Sequence, residues 1–559
     1  MTAILYAVTS VSAVLWLAAM ARIVLVAARM LQIEEYERDR FARFAAHRAW
    51  MVHRSALGAL AGALVAVVVA LVVSAVREQW RDVVVAAGWG ASSLSGLLLW
   101  TWPKAKKPLV ATARMRRLLA ATGVWLVLGA AAAALLIVLR IWPADVAFVV
   151  VIALTTPLAA GALLVANDGM RPVEAAVRRH YLRLARSRIA AVDPLVVAVA
   201  GSYGKTSTKH NLAQLLMPSV STLPTRLSFN TLMGVSRVIN EDLRPSHRVF
   251  VVEMDAYAPG EIAAISGLVH PRLAVVTSVG PQHLERFGST ERIAGALYEV
   301  IAALPQDGTA VIHSGDDGGV QLAVRAADEG HHVVRYALQG AGDADVIADN
   351  VMLDGTGARF RWMWAAHRLQ ADVAISLLGE HQVLNVTAAL AVVHLLGYDV
   401  DAAVKAAATL QPVPHRLQLL QSGGPVTVID DSYNANPVGV HNALDVLAAM
   451  QGGARILVTP GLVELGALEA EENRRYGEHA ARVCDDVVVV AAAPAAALVR
   501  GLHDGGLDDA HIHVVRSLTD ATAIIGSVAR RGDIVLFAND LPDTYMPASG
   551  AAVSGSATC

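Results

Sequence analysis

Leu195-Val196-Val197-Ala198-Val199-Ala200-Gly201-Ser202-Tyr203-Gly204-Lys205-Thr206-Ser207 decides the architecture of most of this chain. Six apolar residues in a row predict a strand buried on both faces. The run passes straight into a glycine-rich turn, and Lys209–Leu216 predicts a helix after it. Glycines let backbone N–H groups converge on an anion, and a helix N-terminus adds its dipole. Lys205 is then placed to meet the β- and γ-phosphates of a nucleotide, and Thr206 to ligate Mg²⁺. The longer phosphate-loop pattern has another glycine five residues before the Gly-Lys pair, where Val199 stands. An isolated loop of this kind also reads as a helix-capping turn; the strand–loop–helix context favours the nucleotide.

Downstream, short Val/Ile runs alternate with helical stretches, the pattern of a parallel α/β sheet. The expected strands are Leu195–Ala200, Val249–Glu253, Leu273–Thr277 and Thr309–Ile312, then Val426–Asp430, Arg455–Val458, Val487–Val490, His511–Val515 and Ile534–Phe537. Between the two series, Asp345–Leu378 shows short alternating stretches with turn signals at Asp354-Gly355 and Gly357. A boundary near Gln411–Pro414 divides an ATP-binding α/β domain over 190–410 from a Rossmann-like α/β domain over 411–546. The tail 547–559 is small and polar and is expected to be disordered.

Upstream the composition changes. Five apolar runs, Ile4–Met30, Ala56–Val76, Val83–Trp100, Leu118–Leu139 and Val146–Ala166, are each near the ~20 residues that cross a hydrocarbon core. Residues 1–170 are therefore expected to be a transmembrane helical bundle. The first run has neither a basic leader nor an evident small-residue cleavage site, so it reads as an anchor. Basic residues crowd three regions: Arg38–Arg54 after run one, Lys104–Arg117 after run three, and Arg171–Arg188 after run five. The other two loops carry only Arg77 and Arg81, and Arg140. The positive-inside rule puts the three basic regions in the cytoplasm. It puts the N-terminus outside and everything after about residue 167 inside, in a multi-pass protein of the cytoplasmic membrane.

Composition excludes some functions. A net charge of −2 gives no footprint for nucleic acid. Two cysteines, Cys484 and Cys559, cannot build a disulfide framework or a cysteine zinc cluster.

Several further segments carry a family resemblance. They are Ser228-Phe229-Asn230-Thr231 with Gly234, Val252-Glu253-Met254, and Val279–Gly288 containing Gln282-His283. Next come Gly379-Glu380-His381-Gln382 with Asn385, His415-Arg416-Leu417, Ile429–Pro437 containing Asp430-Asp431-Ser432-Tyr433-Asn434-Ala435-Asn436, and Glu464-Leu465-Gly466. In this order, across about 190–545, they resemble the Mur ligases of bacterial cell-wall synthesis. The resemblance is greatest to the branch that adds D-alanyl-D-alanine to a muramoyl tripeptide. Residues 1–170 are outside it.

The resemblance implies an ATP-dependent acid–amino-acid ligase with ATP and Mg²⁺. A carboxylate becomes an acyl phosphate, an amine attacks it, and ADP and phosphate are left. It implies catalytic roles for Lys205, Glu253, His283 and Arg416. ATP would lie on Gly201, Ser202, Tyr203, Gly204, Lys205, Thr206 and Ser207, with Asn385 at adenine, Arg416 at phosphate and Asp431 toward the ribose. The metal would take Thr206, Glu253 and His283, and the substrates would meet Asn230, Thr231, Asn434, Asn436 and Glu464. Bland readings stand beside these: Glu253 as a helix cap, His283 as a structural histidine, Asn385 as an interhelical bond, Arg416 as a surface ion pair, and 434–437 as a turn and helix start.

Three departures bear on the substrates and the metal. A membrane region replaces the soluble domain that grips the uridine nucleotide in these ligases. Leu297 stands where the family's carbamylated lysine aligns, and no lysine occurs between Lys209 and Lys405. Ala538-Asn539-Asp540-Leu541-Pro542-Asp543 replaces a Lys-Gly-Ser-Arg-like run. The expected function is a membrane-anchored ligase in peptidoglycan precursor synthesis, acting on a muramoyl peptide or a lipid-linked carboxylate. The alternatives are a ligase building another amide polymer, such as poly-γ-glutamate, and a non-catalytic ATP-binding membrane scaffold.

Overall fold

The computed structural model describes residues 2–34, 36–47, 109–138, 144–282, 284–420, 426–433, 435–463, 465–490 and 495–539, with 83, 87, 90, 91, 93 and 94. The chain divides into two compact units, with Val177 in the first and Arg178–Pro547 forming the second.

The N-terminal unit is helical. Run one lies in a helix over Thr2–Ile33, run four in Ala113–Val138 and run five in the first part of Ala144–Val192. Run two, Ala56–Val76, lies outside the described residues, as does most of Val83–Trp100. Among the described residues one helix, Tyr6–Ile33, is long and apolar enough to cross a membrane by length and composition. Ion pairs tie this unit together: Arg38 to Asp168 at 3.0 Å and Arg117 to Glu174 at 2.8 Å. The basic segment after run five continues as helix to Val192.

The second unit holds two sheets. The first contains β1 (Leu195–Ala200), β2 (Thr222–Pro224), β3 (Val249–Glu253), β4 (Leu273–Val276), β5 (Thr309–His313), β6 (His332–Leu338), β7 (Val346–Asp354), β8 (Gly357–Trp364) and β9 (Leu369–Ile375). Their order is β2-β3-β1-β4-β5-β6-β7-β8-β9. Pairing is parallel through β7 and antiparallel from β7 to β9, where the alternating stretch with its Asp354-Gly355 turn forms hairpins. Strand side chains alternate between faces. Val196, Ala198 and Ala200 meet the helices Leu232–Glu241, Glu261–Val269 and Thr290–Ala302; Val197 and Val199 meet Lys205–Leu216 and Glu380–Leu395. Each such buried Val contributes about 1.5–3 kcal/mol, which makes β1, buried from Val196 to Ala200, a rigid support for the loop at its end.

The second sheet contains β10 (Gln418–Leu420), β11 (Thr427–Asp431), β12 (Arg455–Thr459), β13 (Asp486–Val490), β14 (Ile512–Val515) and β15 (Ile534–Ala538), in the order β10-β11-β15-β12-β13-β14. Only β10 runs antiparallel.

Both sheets carry their chemistry where the strand order reverses, since crossovers leaving in opposite directions open a crevice beyond the strand ends. In the first sheet this is the end of β1, flanked by β3 and β4. In the second it is the end of β15, inserted between β11 and β12.

Candidate active site

The loop after β1 depends on two glycines. Gly201 has φ +138°, and a Cβ there would collide with Thr277 Oγ1 and lie 2.9 Å from the Thr277 nitrogen. Gly204 has φ +79° and caps the helix Lys205–Leu216 without offering a side-chain acceptor. That helix begins inside the glycine motif, four residues earlier than the sequence pattern suggests. Its first-turn N–H groups have no side-chain cap and face the crevice end, which suits an anion. Ser202 and Tyr203 are pinned to the far wall: Ser202 N donates to Ser278 O at 2.8 Å, Ser202 Oγ to Gly280 O at 2.9 Å, and Tyr203 N to Ser278 Oγ at 3.0 Å. The Tyr203 ring covers Gly280, whose missing Cβ makes room for it. Burial, with Glu472 and Asp316 nearby, pushes the Tyr203 phenol well above its usual range. Ser207 is buried in the first turn.

Lys205 is only 6% exposed. Its Nζ donates to Gly201 O at 2.6 Å, Ser202 O at 3.2 Å and Gln282 Oε1 at 3.0 Å, and pairs with Asp255 at 3.3 Å. One turn on, Lys209 reaches Glu253 at the end of β3, with Nζ 2.8 Å from Oε2. Glu253 is 1% exposed, where a carboxylate is costly without cations or donors. Its Oε1 accepts from Thr206 Oγ1 and from Asn230 Nδ2, both at 3.1 Å. Thr206, Asn230 and Glu253 thus meet at one carboxylate oxygen beside the phosphate loop. Thr231 caps the next helix, accepting from Gly234 N at 3.3 Å.

Asn385 closes the other side of the loop. Its Oδ1 accepts from Thr208 Oγ1 at 3.0 Å, and a Cβ on Gly204 would stand 2.7 Å from that same atom. Its Nδ2 donates to Gln382 at 3.2 Å, so Asn385 is oriented from both ends.

In the second sheet, Arg416 lies between two residues with positive φ, His415 at +64° and Leu417 at +42°. Such backbone costs of order 1 kcal/mol or more per residue. The turn is held by His415 Nδ1 at 2.7 Å from Asp430 and by Leu417 N donating to Asp431 Oδ1 at 3.1 Å. The Arg416 guanidinium stands 5.0 Å from the Tyr433 ring centre, and its buried Nε has no hydrogen-bond partner among the described residues. Burial pushes the Asp431 carboxyl up to about 7, against the Leu417 hydrogen bond and the Arg416 charge. Burial, aided by Arg416, pushes the His381 imidazole down to about 4. Tyr433 Oη shares a 2.6 Å hydrogen bond with Ser228 Oγ, joining the Arg416 segment to the loop bearing Asn230. Asn436 caps Pro437–Ala449 and accepts from Gly439 N at 2.8 Å. His283, Asn434 and Glu464 lie outside the described residues.

Sequence reading passed over Lys209, Asp255 and Asn539. The signal for Lys209 was its position four residues after Lys205, on the same helix face. Asp255 follows Glu253 by two. Asn539, at φ +68°, donates to Gly461 O at 2.6 Å and accepts from Ala435 N at 3.3 Å, stapling the loops at the ends of β11 and β12.

The donor set fits Mg²⁺: Thr206 Oγ1 and Glu253 Oε1 are hard oxygens at the loop that would hold phosphates. Among the described residues no group of three or more His, Cys, Asp or Glu could hold a metal.

The model of the Mur ligase middle domain matches residues 199–393, and that of the Mur ligase glutamate ligase domain matches 415–539. The UDP-N-acetylmuramoyl-tripeptide–D-alanyl-D-alanine ligase of Mycobacterium tuberculosis is 32% identical over 432 residues, 73% of this chain and 82% of that relative. The Escherichia coli ligase of the same name is 33% identical over 329 residues, 57% of this chain and 70% of its own length. Among solved structures, MurF from Acinetobacter baumannii matches with a TM-score of 0.58 at 28% identity, covering 65% of this chain and 77% of that one. MurF ligase from Thermotoga maritima in complex with ADP matches with a TM-score of 0.57 at 27% identity, covering 65% and 80%.

Proposed function

This chain belongs to the Mur ligase family, and from that premise we propose that it joins D-alanyl-D-alanine to the free carboxylate of a muramoyl tripeptide, converting ATP to ADP and phosphate. The observation that carries the reading is the buried Glu253 carboxylate, gripped by Thr206 and Asn230 at the exit of the phosphate loop. That arrangement joins a nucleotide-side residue and a substrate-side residue on one charged atom.

A carboxylate is a poor electrophile. Transfer of the γ-phosphoryl group makes it an acyl phosphate; the amine attacks the carbonyl carbon, and phosphate leaves with the bridging oxygen. The protein's task is to gather and neutralise negative charge. Lys205 turns from Asp255 and the loop carbonyls toward the triphosphate. A magnesium ion, when bound, supplies further neutralisation of the phosphates. Asn385 orients the base, and Arg416, flanked by its two strained residues, swings to the phosphate side as Asp431 meets the ribose. Asn434, Asn436 and Glu464 complete the substrate side, and His283 would join Thr206 and Glu253 at the metal. Leu297 is buried in the core, and Glu299 is already engaged with Gly260 N at 2.6 Å and Ala263 N at 2.9 Å. Neither supplies what a carbamylated lysine would.

The reading extends to the membrane. The N-terminal region anchors the enzyme with its N-terminus outside and the catalytic module in the cytoplasm. It rests on the alternation of basic loops and on the apolar helix Tyr6–Ile33. The anchor replaces the uridine-grip domain, so the far end of the substrate is held at the membrane, as a lipid-linked or membrane-associated carboxylate. Ala538 and Asn539, in place of the Lys-Gly pair, favour one second reading, a ligase with a different amine that builds another amide polymer.

The test is phosphate release by purified protein, with the carboxylate, the amine or both supplied. Release requiring muramoyl tripeptide and D-alanyl-D-alanine together supports the proposal. Release with glutamate chains alone favours the second reading, and no release with any pair leaves the scaffold.

A further inference from the structure

Resting on the nucleotide and metal reading above, we propose that Lys209 is a positioning residue for the metal carboxylate, presenting Glu253 with one oxygen gripped and the other turned toward Thr206. Lys205 and Lys209 are four residues apart on one helix face, and both are buried, at 6% and 2% exposure. Two ammonium groups so placed repel unless each has its own counter-charge. The end of β3 supplies both: Asp255 takes Lys205 at 3.3 Å, and Glu253 takes Lys209 at 2.8 Å.

The two lysines are not equivalent. Lys205 sits against the loop carbonyls at the crevice, where an incoming phosphate can displace them. Lys209 lies one turn deeper, with its Nζ committed to Glu253 Oε2 at 2.8 Å and to the Leu227 carbonyl at 2.5 Å. Both partners hold it away from solvent, at 2% exposure. Its grip on Oε2 leaves Oε1 as the oxygen that meets Thr206 and Asn230. A carboxylate with one oxygen pinned presents a fixed single ligand; an unpinned one rotates and competes with itself. The second contact extends the effect to the substrate side. Leu227 is a non-glycine residue at φ +46°, with its side chain 80% exposed, so no packing of that side chain holds its strained backbone. The Lys209 ammonium does, three residues before Asn230. One buried cation thereby sets the carboxylate and the loop that brings its amide partner.

The experiment measures ADP binding by the full chain in detergent as a function of Mg²⁺, for wild type and Lys209→Met, with the thermal midpoint of each recorded. The proposal expects the Mg²⁺ concentration for half-maximal tightening to rise roughly tenfold or more, with Mg²⁺-free ADP affinity changed by less than about twofold. A merely structural lysine would lower the midpoint and leave the Mg²⁺ requirement alone. A folded variant whose Mg²⁺ half-saturation stays within about twofold of wild type overturns the proposal. If Lys209→Met does not fold, Lys209→Gln, which keeps a donor for the Leu227 carbonyl, is measured against the same thresholds. Absence of any Mg²⁺ dependence in wild type would overturn the metal reading itself, and is distinguishable because it appears before any variant is compared.

Discussion

Replacing Lys205 by methionine separates its two duties, holding the loop and meeting phosphate. Methionine keeps most of the aliphatic stem, so the change is chiefly the loss of Nζ. In the folded protein Nζ serves the carbonyls of Gly201 and Ser202, the Gln282 amide and Asp255. Losing Nζ costs about 3–5 kcal/mol, chiefly by leaving the largely buried Asp255 carboxylate without its cation. That is below the roughly 5–15 kcal/mol by which a domain is stable, so the variant should fold. The catalytic loss is separate. A phosphate oxygen about 4 Å from an ammonium, at an effective dielectric of about 20, gains about 4 kcal/mol. Losing that in the transition state lowers kcat/KM by about 10³. The assay is coupled phosphate release beside a melting curve. A folded Lys205→Met protein within about tenfold of wild-type turnover would refute the placement of phosphate on this loop.

Other outcomes follow from the same geometry. Asp431, pushed up to about 7, keeps its proton in the folded state between about pH 4 and 7 while the unfolded chain has lost it, so stability falls as pH rises through that window. Asp431→Asn removes the fall: the variant's stability relative to wild type, from urea titrations, should grow across the window to about 4 kcal/mol, with turnover reduced, and a pH-independent difference would contradict this. Reporter fusions at residue 110 and at the C-terminus should read cytoplasmic and one at residue 80 should not; a periplasmic signal at 110 refutes the five-span topology. Because Leu297 can bring no carboxylate-like group, turnover should be unchanged in CO₂-depleted buffer, and a loss restored by bicarbonate would overturn the metal-site account.

The sequence made the sheet centres legible because strands buried on both faces are written as unbroken apolar runs. Leu195–Ala200 and Val249–Glu253 begin and end where expected. It hid the edges. Thr222–Pro224 is three residues long and ends in proline, and His332–Leu338 mixes histidine and arginine into its apolar pattern. The site followed the same division. Gly201, Gly204 and Lys205 carry a local pattern, so they could be read directly. Lys209 and Asp255 lie just outside the two motifs that announce the site, and their meaning comes from a helix turn and a strand end brought together across 44 residues. Asn539 was visible only as a departure. Its positive φ explains why a residue tolerant of left-handed backbone stands there, and its amide explains how two loops are held.

The central claim is that this site activates a carboxylate by phosphoryl transfer. It is tested most directly by supplying the carboxylate substrate labelled with ¹⁸O at the reacting group, together with ATP and the amine, and weighing the phosphate released. The account predicts ADP and phosphate carrying one ¹⁸O per turnover, since the oxygen that joined the γ-phosphorus leaves with it. Unlabelled phosphate, or label recovered in AMP, would contradict it.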